Sequence, residues 1–199
     1  MQRKLEPGRL VAATHNAGKV VELRDLFEPL GYQIKSAIEL DLDEPEETEM
    51  TFTGNAILKA RAAAIATGAP ALSDDSGLAV NALGGMPGIY SARWAGQPRD
   101  FYRAMQRVET ALQETGSEDR SAQFICALAI VWPDGEEIVF EGSVAGDLVW
   151  PPRGEHGFGY DPIFVATGEN ITFGEMEPGK KHAMSHRADA FEKLKAYLL

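Results

Sequence analysis

Cysteine is almost missing from this chain: Cys126 is the only one in 199 residues. That excludes an intrachain disulfide and an all-cysteine zinc site, and the apolar run around Cys126 marks it as a buried packing residue. Long apolar runs are missing too. No stretch approaches the length that crosses a bilayer, and Met1-Gln2-Arg3-Lys4-Leu5-Glu6-Pro7 lacks the apolar core of a signal peptide. No membrane partner is expected, and the expected compartment is the cytoplasm. Basic residues are scarce, 19 Lys and Arg against 30 Asp and Glu, a net charge of -11. Binding to a nucleic acid polymer rests on neutralising phosphates with cations, so such a polymer is not the expected partner. A small anion remains admissible, because a few local cations and a metal can hold a triphosphate on an acidic protein. Also absent are a Gly-x-Ser-x-Gly elbow, a dinucleotide Gly-x-Gly-x-x-Gly after a strand, and a credible thiol nucleophile. There is no repeat, low-complexity tract or linker.

What is present is ordinary in bulk, with 44% hydrophobic and 25% charged residues. The length suits one domain over residues 1–199, whole or in two lobes. Leu10 to Thr14 reads as a short buried strand, broken at His15-Asn16-Ala17-Gly18-Lys19. A helix follows, with Leu23, Leu26, Phe27 and Leu30 on one face and Pro29-Leu30-Gly31 ending it. Asp41 to Glu49 holds six acids and a proline and reads as a loop. Helices are expected over 52–67, 101–115 and 186–198, the last burying Phe191, Leu194 and Leu198. Short buried strands are expected on either side of Asp74-Asp75, the second over 78–83, and Gly84-Gly85-Met86-Pro87-Gly88 needs unusual dihedrals. Ala122, Phe124, Cys126, Leu128 and Ile130 alternate as a strand with one buried face, turned at Pro133-Asp134-Gly135-Glu136 into Ile138-Val139-Phe140. A long loop runs from Trp150 through Pro162. The order is mixed α/β with an antiparallel hairpin, which disfavours an all-parallel doubly wound sheet.

Four segments could carry chemistry. Asp74 and Asp75, flanked by Ser73 and Ser76, lie between apolar runs. Buried charge without a partner costs several kcal/mol, so the pair is either a metal site or a solvated turn rich in turn formers. Adjacent strand residues point to opposite faces, which would let one Asp hold metal while the other orients the loop. Thr14-His15-Asn16-Ala17-Gly18-Lys19 joins strand to helix and is either a phosphate seat or ordinary N-capping by Thr14 or Asn16. It is not a Walker A loop, since Ala13 replaces the first glycine and Val20 the Ser/Thr. Glu46 and Glu47 precede the helix carrying Lys59 and, with the Asp pair, would suit Mg²⁺, although charge runs are usually solvated. Gly157-Phe158-Gly159-Tyr160-Asp161-Pro162 allows close approach to a planar ligand, or simply closes the core. In Lys180 to Arg187, His182 and His186 have zinc spacing but no third ligand. Lys181, His186 and Arg187 read better as phosphate and base donors, with Ser185 capping the last helix.

Together these blocks closely resemble the inosine triphosphate pyrophosphatase family, the XTP/dITP pyrophosphatases. The matching stretches are 13–19, Glu46-Glu47-Thr48, 51–61, Ser73-Asp74-Asp75-Ser76-Gly77-Leu78, 83–93, 157–164 and 181–187. The resemblance implies a mixed β-sheet with two helix-flanked lobes, an active-site cleft between them, and a homodimer. It implies Mg²⁺-dependent hydrolysis of ITP, dITP or XTP to the monophosphate and pyrophosphate. By resemblance Asp75 is the general base and a metal carboxylate, Glu46 or Glu47 shares the metal, and Asp74 is a weaker ligand or a supporting residue. Ser76 touches substrate. Thr14, His15, Asn16, Ala17, Gly18, Lys19, Lys59 and Lys181 would hold phosphates, and Phe158, Gly159, Tyr160, Asp161, His186 and Arg187 the base. Two residues depart from the pattern: Gly54 stands where members often carry Glu, and His15 replaces a common glycine. Competing readings are a pyrophosphatase for pyrimidine or modified nucleotides and a non-catalytic nucleotide-binding or sensing protein.

Overall fold

Side-chain caps start several of the helices, and left-handed glycines end some of the helical stretches. The computed structural model describes residues 3–198. After strand β1 (Arg9–Ala12), Asn16 caps helix α1 (Ala17–Phe27), which tightens into a 3₁₀ turn and stops at Gly31, φ 88°. Strand β2 (Gln33–Ser36) follows, and residues 42–49 have no regular structure. Thr51 then caps α2 (Phe52–Thr67), ended by Gly68 at φ 63°. Positive φ is the conformation glycine adopts without steric cost. Strand β3 (Ala71–Val80) is followed by the short helix α3 (Ser91–Trp94) and by α4 (Phe101–Thr115), capped by Asp100 and ended by Gly116. Strands β4 (Ser121–Val131), β5 (Glu137–Leu148) and β6 (Phe164–Ala166) and helices α5 (Pro178–Ala183) and α6 (His186–Leu198) complete the chain.

The strands form one mixed sheet in the order β2-β1-β3-β4-β5-β6. β1 is parallel to β2 and β3, and β5 is antiparallel to β6. The three long helices lie at the residues expected from their periodicity. Two expectations change. The Asp pair does not separate two strands: β3 runs through it, so the second run expected over 78–83 is the end of β3 plus a 3₁₀ turn at Asn81–Leu83. The clean alternation expected of β4 holds only to Ile125, because from Cys126 onward both faces are buried. β2, β6, α3 and α5 have no counterpart among the elements expected from the sequence.

The chain divides into two compact units, one of residues 1–75, 127–141 and 191–199, the other of 76–126 and 142–190. In the first, alanines of α2 (Ala56, Ala60, Ala63, Ala64) pack on Val11, Ala71, Ala127 and Val131. Small side chains bring helix and strand backbones close, which matters because α2 carries Lys59. The second unit has an aromatic core in which Phe124, Phe164 and Phe173 lie 4.7–6.2 Å apart. There Gly142 of β5 seats the first turn of α6: a Cβ at this position would stand 2.2 Å from Ala190 N and His186 O. Ser143 N–H donates to Asp189 at 3.0 Å, tying the same turn down.

Overpacking a site of this kind typically costs about 1–3 kcal/mol, and a chain this long loses roughly 2–4 °C in Tm for each kcal/mol. Gly142→Ala should therefore lower Tm by several degrees in a thermal melt.

Candidate active site

In the first unit, β3 places Asp74 and Asp75 side by side, both buried, and the fold answers each with a lysine. Lys19 Nζ of α1 donates to Asp74 Oδ2 at 2.6 Å. Lys59 Nζ of α2 donates to Asp75 Oδ1 at 3.2 Å and to Glu47 Oε1 at 2.8 Å. Asp75 Oδ2 is buried and has no hydrogen-bond partner. Burial drives the Asp75 carboxyl up to about 6 from its ordinary 3.8, and the charges of Glu47 and Asp74 push the same way against the pull of Lys59. Burial alone would lower the Lys59 ammonium, but Asp75 and Glu47 outweigh it and hold it above its ordinary value.

The metal set expected from the sequence narrows here. Glu46 is exposed, whereas Glu47 is half-buried and reaches Lys59. Asp74 is taken up by Lys19, whereas Asp75 and Glu47 are the carboxylates that share Lys59. Among the described residues no three His, Cys, Asp or Glu side chains are grouped closely enough to hold a metal unaided. An unpartnered buried carboxylate oxygen next to a second carboxylate does fit Mg²⁺, which commonly takes one or two protein carboxylates and completes its shell with substrate phosphates and water.

The acidic loop is pinned at three points. His15 Nε2 donates to Leu42 O at 2.8 Å, Lys59 takes Glu47, and Glu49 N–H donates to Asn55 Oδ1 at 3.0 Å. A pocket of about 320 Å³ is lined by Lys59, by Ala62, Ala63 and Ala66, and by Asp41, Asp43 and Glu44 of the acidic loop. At the start of α1 the capping reading describes the turn. Asn16 Oδ1 accepts from the N–H groups of Gly18 (2.9 Å) and Lys19 (3.3 Å), and Thr14 Oγ1 accepts from Asn16 N–H (3.2 Å). A phosphate reaching these amides would compete with the Asn16 side chain. Ala17 is exposed and Ser76 half-buried.

In the second unit, Asp161 is buried and works inside its own loop, so it is not placed to accept from a base edge. Its Oδ2 accepts from Phe158 N–H at 2.8 Å and from Lys181 Nζ at 2.7 Å. Gly157, at φ 73°, lets the loop wrap the carboxylate, since a Cβ there would fall 2.1 Å from Asp161 Oδ2. Lys181 Nζ lies 5.1 Å from the Phe158 ring centroid and 5.7 Å from that of Phe173, cation–π distances. Phe158 itself is 63% exposed, an apolar ring held out to solvent beside an ammonium. Tyr160 is buried, with its hydroxyl on Ser91 O at 2.8 Å and its ionisation raised by burial, so it is a packing residue rather than a ligand contact. Gly159 takes φ 69° between them. The His186 ring stacks on Phe124 at 5.1 Å, with Arg187 next to it at the start of α6. Sequence reasoning missed Asn55 as a loop anchor. Its signal was the i, i+4 spacing to Lys59 on α2.

A family model for the Ham1 family matches residues 10–197. The chain belongs to the Ham1 family. Among the relatives of this Ham1 chain is the dITP/XTP pyrophosphatase of Caulobacter vibrioides, 60% identical over 190 residues, covering 96% of this chain and 97% of the relative. That of Zymomonas mobilis subsp. mobilis is 54% identical over 199 residues, covering 100% and 95%. Among solved structures, a HAM1 protein from Coxiella burnetii has a TM-score of 0.92 at 39% identity, covering 96% of this chain and 98% of that one. The Staphylococcus aureus Ham1 protein has a TM-score of 0.88 at 38% identity, covering 96% and 97%.

The raised Asp75 carboxyl fixes a pH dependence. Between the ordinary 3.8 and about 6, the native state holds a proton that the unfolded chain has released. The neutral form's stabilisation is therefore lost as pH rises through that window. Asp75→Asn, permanently neutral, should be more stable than the parent above pH 6 in the metal-free protein, by up to about 3 kcal/mol at 1.36 kcal/mol per unit. Denaturant melts at pH 4 and pH 8 measure this, with the two proteins converging at the lower pH.

Proposed function

We propose that this Ham1 chain hydrolyses non-standard purine nucleoside triphosphates (dITP, ITP and XTP) to the monophosphate and pyrophosphate, removing them from the nucleotide pool. The observation that carries this reading is buried Asp75, with one oxygen on Lys59, the other unpartnered, and Glu47 alongside. The activity named for its relatives supports the substrate class. Asp75 and Glu47 are the residues that would hold Mg²⁺. Bound there, the ion would neutralise triphosphate charge and favour the ionised carboxylate.

Asp75, with Oδ2 unpartnered and Oδ1 on Lys59, is the carboxylate that would orient the attacking water and receive its proton. The water oxygen bonds to the α-phosphorus while the bond from that phosphorus to the α–β bridging oxygen breaks and pyrophosphate leaves. Lys59 and Lys19, held on Asp75 and Asp74, are the ammonium groups available to the departing charge. Thr14 to Lys19 and Ser76 complete the phosphate side of this reading. On the base side, Phe158 offers a stacking face, and His186 and Arg187 offer donors to a purine 6-oxo group, while Lys181 is a phosphate donor. Asp161 acts through Phe158 and Lys181. Adenine presents an amino group at that position, so donor would face donor, a mismatch that can cost about 10⁴-fold or more. A homodimer and a cytoplasmic setting belong to the same reading. No described helix is long and apolar enough to cross a membrane.

With Mg²⁺, dITP and XTP should give monophosphate and pyrophosphate in equal amounts, with ATP slower by roughly 10⁴-fold. Asp75→Asn should abolish turnover. Below the Asp75 midpoint, which bound Mg²⁺ sets below its metal-free value of about 6, kcat/KM should fall about tenfold per unit. Release of orthophosphate would overturn the reaction, a preference for dTTP or UTP the substrate class, and binding without turnover the catalytic role.

A further inference from the structure

Asn55 is fully buried in the first turns of α2, yet nothing in the reaction described above uses it. Its Oδ1 accepts from Glu49 N–H at 3.0 Å, while its Nδ2 is buried without a hydrogen-bond partner. Burying an amide that leaves its donor unpaired costs stability, so packing alone is a poor reason to keep Asn here. Two placements give it a task. Lys59 lies four residues on, hence on the same face of α2, and Glu47 lies two residues before the anchored Glu49. Gly54 completes the arrangement. A Cβ there would stand 2.7 Å from Glu49 Cβ and 3.0 Å from Thr51 Oγ1, so the missing side chain is what lets Glu49 lie against the helix within reach of Asn55.

We propose that Asn55, with Gly54 clearing its approach, is a positioning residue that sets Glu47 against Lys59 and Asp75 and thereby tunes the affinity of the site for its divalent cation. The inference rests on the reading that Glu47 and Asp75 hold Mg²⁺. The physical reason is that the loop carries six acids between Asp41 and Glu49. Their mutual repulsion drives it away from the site, and the anchors at its two ends decide where Glu47 stands. Groups that orient a metal ligand commonly change metal affinity by 10–100-fold when removed.

Three variants of the full-length protein test this: Asn55→Ala, Asn55→Asp, which keeps an Oδ1 acceptor for Glu49 N–H, and Gly54→Ala, which should strengthen α2 while crowding Glu49. Three quantities are read on each: the Mg²⁺ concentration for half-maximal pyrophosphate release from dITP, Mn²⁺ binding without nucleotide by EPR, and hydrogen exchange over 41–50. Asn55→Ala and Gly54→Ala should raise the Mg²⁺ midpoint and the Mn²⁺ Kd about tenfold, and speed exchange in the loop. KM for dITP at saturating Mg²⁺ should change less than twofold, and Asn55→Asp should restore both metal constants to within threefold of the parent. A merely structural role would lower Tm without moving the metal constants. The proposal is overturned if Gly54→Ala, or a folded Asn55→Ala, leaves those constants within twofold of the parent, or if Asn55→Asp weakens metal as much as Asn55→Ala. Should the parent release no pyrophosphate, the functional reading fails by itself, and Mn²⁺ binding with exchange still decides the role of Asn55.

Discussion

The Lys59 ammonium, shared between Asp75 and Glu47, is the interaction on which the site in the first unit depends. Without it, β3 would carry a buried carboxylate with no counter-charge, a loss of several kcal/mol. The same ammonium draws the acidic loop inward through Glu47. What it does not do is satisfy Asp75 completely. One oxygen is held and the other left bare, and burial, helped by the charges of Glu47 and Asp74, keeps the carboxyl protonated up to about 6 against the pull of Lys59. The site is folded around a carboxylate that the chain itself pairs on only one oxygen.

That incomplete pairing explains why the neighbouring Asp74 differs. Lys19 reaches it at 2.6 Å, and α1 begins only after Asn16 has capped its own helix. Two aspartates of identical chemistry thus divide by which helix answers them, one from α1 and one from α2. In the second unit the same logic recurs in aromatic form. Asp161 is buried and engaged by Phe158 N–H and Lys181, which leaves the Phe158 ring exposed beside an ammonium.

Much of this was legible in the sequence, for reasons that can be named. α2, α4 and α6 carry long periodic patterns, and α2 and α4 also have a cap before them and a glycine after, so local signals agree. β2 and β6 are four and three residues long, too short for any period to show. The turn reading of Asp74-Asp75 fails because the residues that make the pair tolerable inside a strand are 55 and 16 positions away, and no local window contains them. The family blocks were readable as motifs, but their division of labour was not. Asp161 and Tyr160 sit in a loop that looks ligand-facing and are buried in it, whereas Asn55 sits in an unremarkable helix turn and anchors the loop that bears Glu47.

The central claim is that Asp75 is kept half-satisfied so that its charge waits for a cation. The most direct measurement is the titration of the Asp75 side-chain carbon by ¹³C NMR, assigned by difference from Asp75→Asn, in metal-free protein and again with Mg²⁺ and a nucleotide product. The account predicts a midpoint near 6 without metal and a clear fall when metal is added. A midpoint at the ordinary carboxylate value of 3.8 in the metal-free protein, unmoved by Mg²⁺, would contradict it.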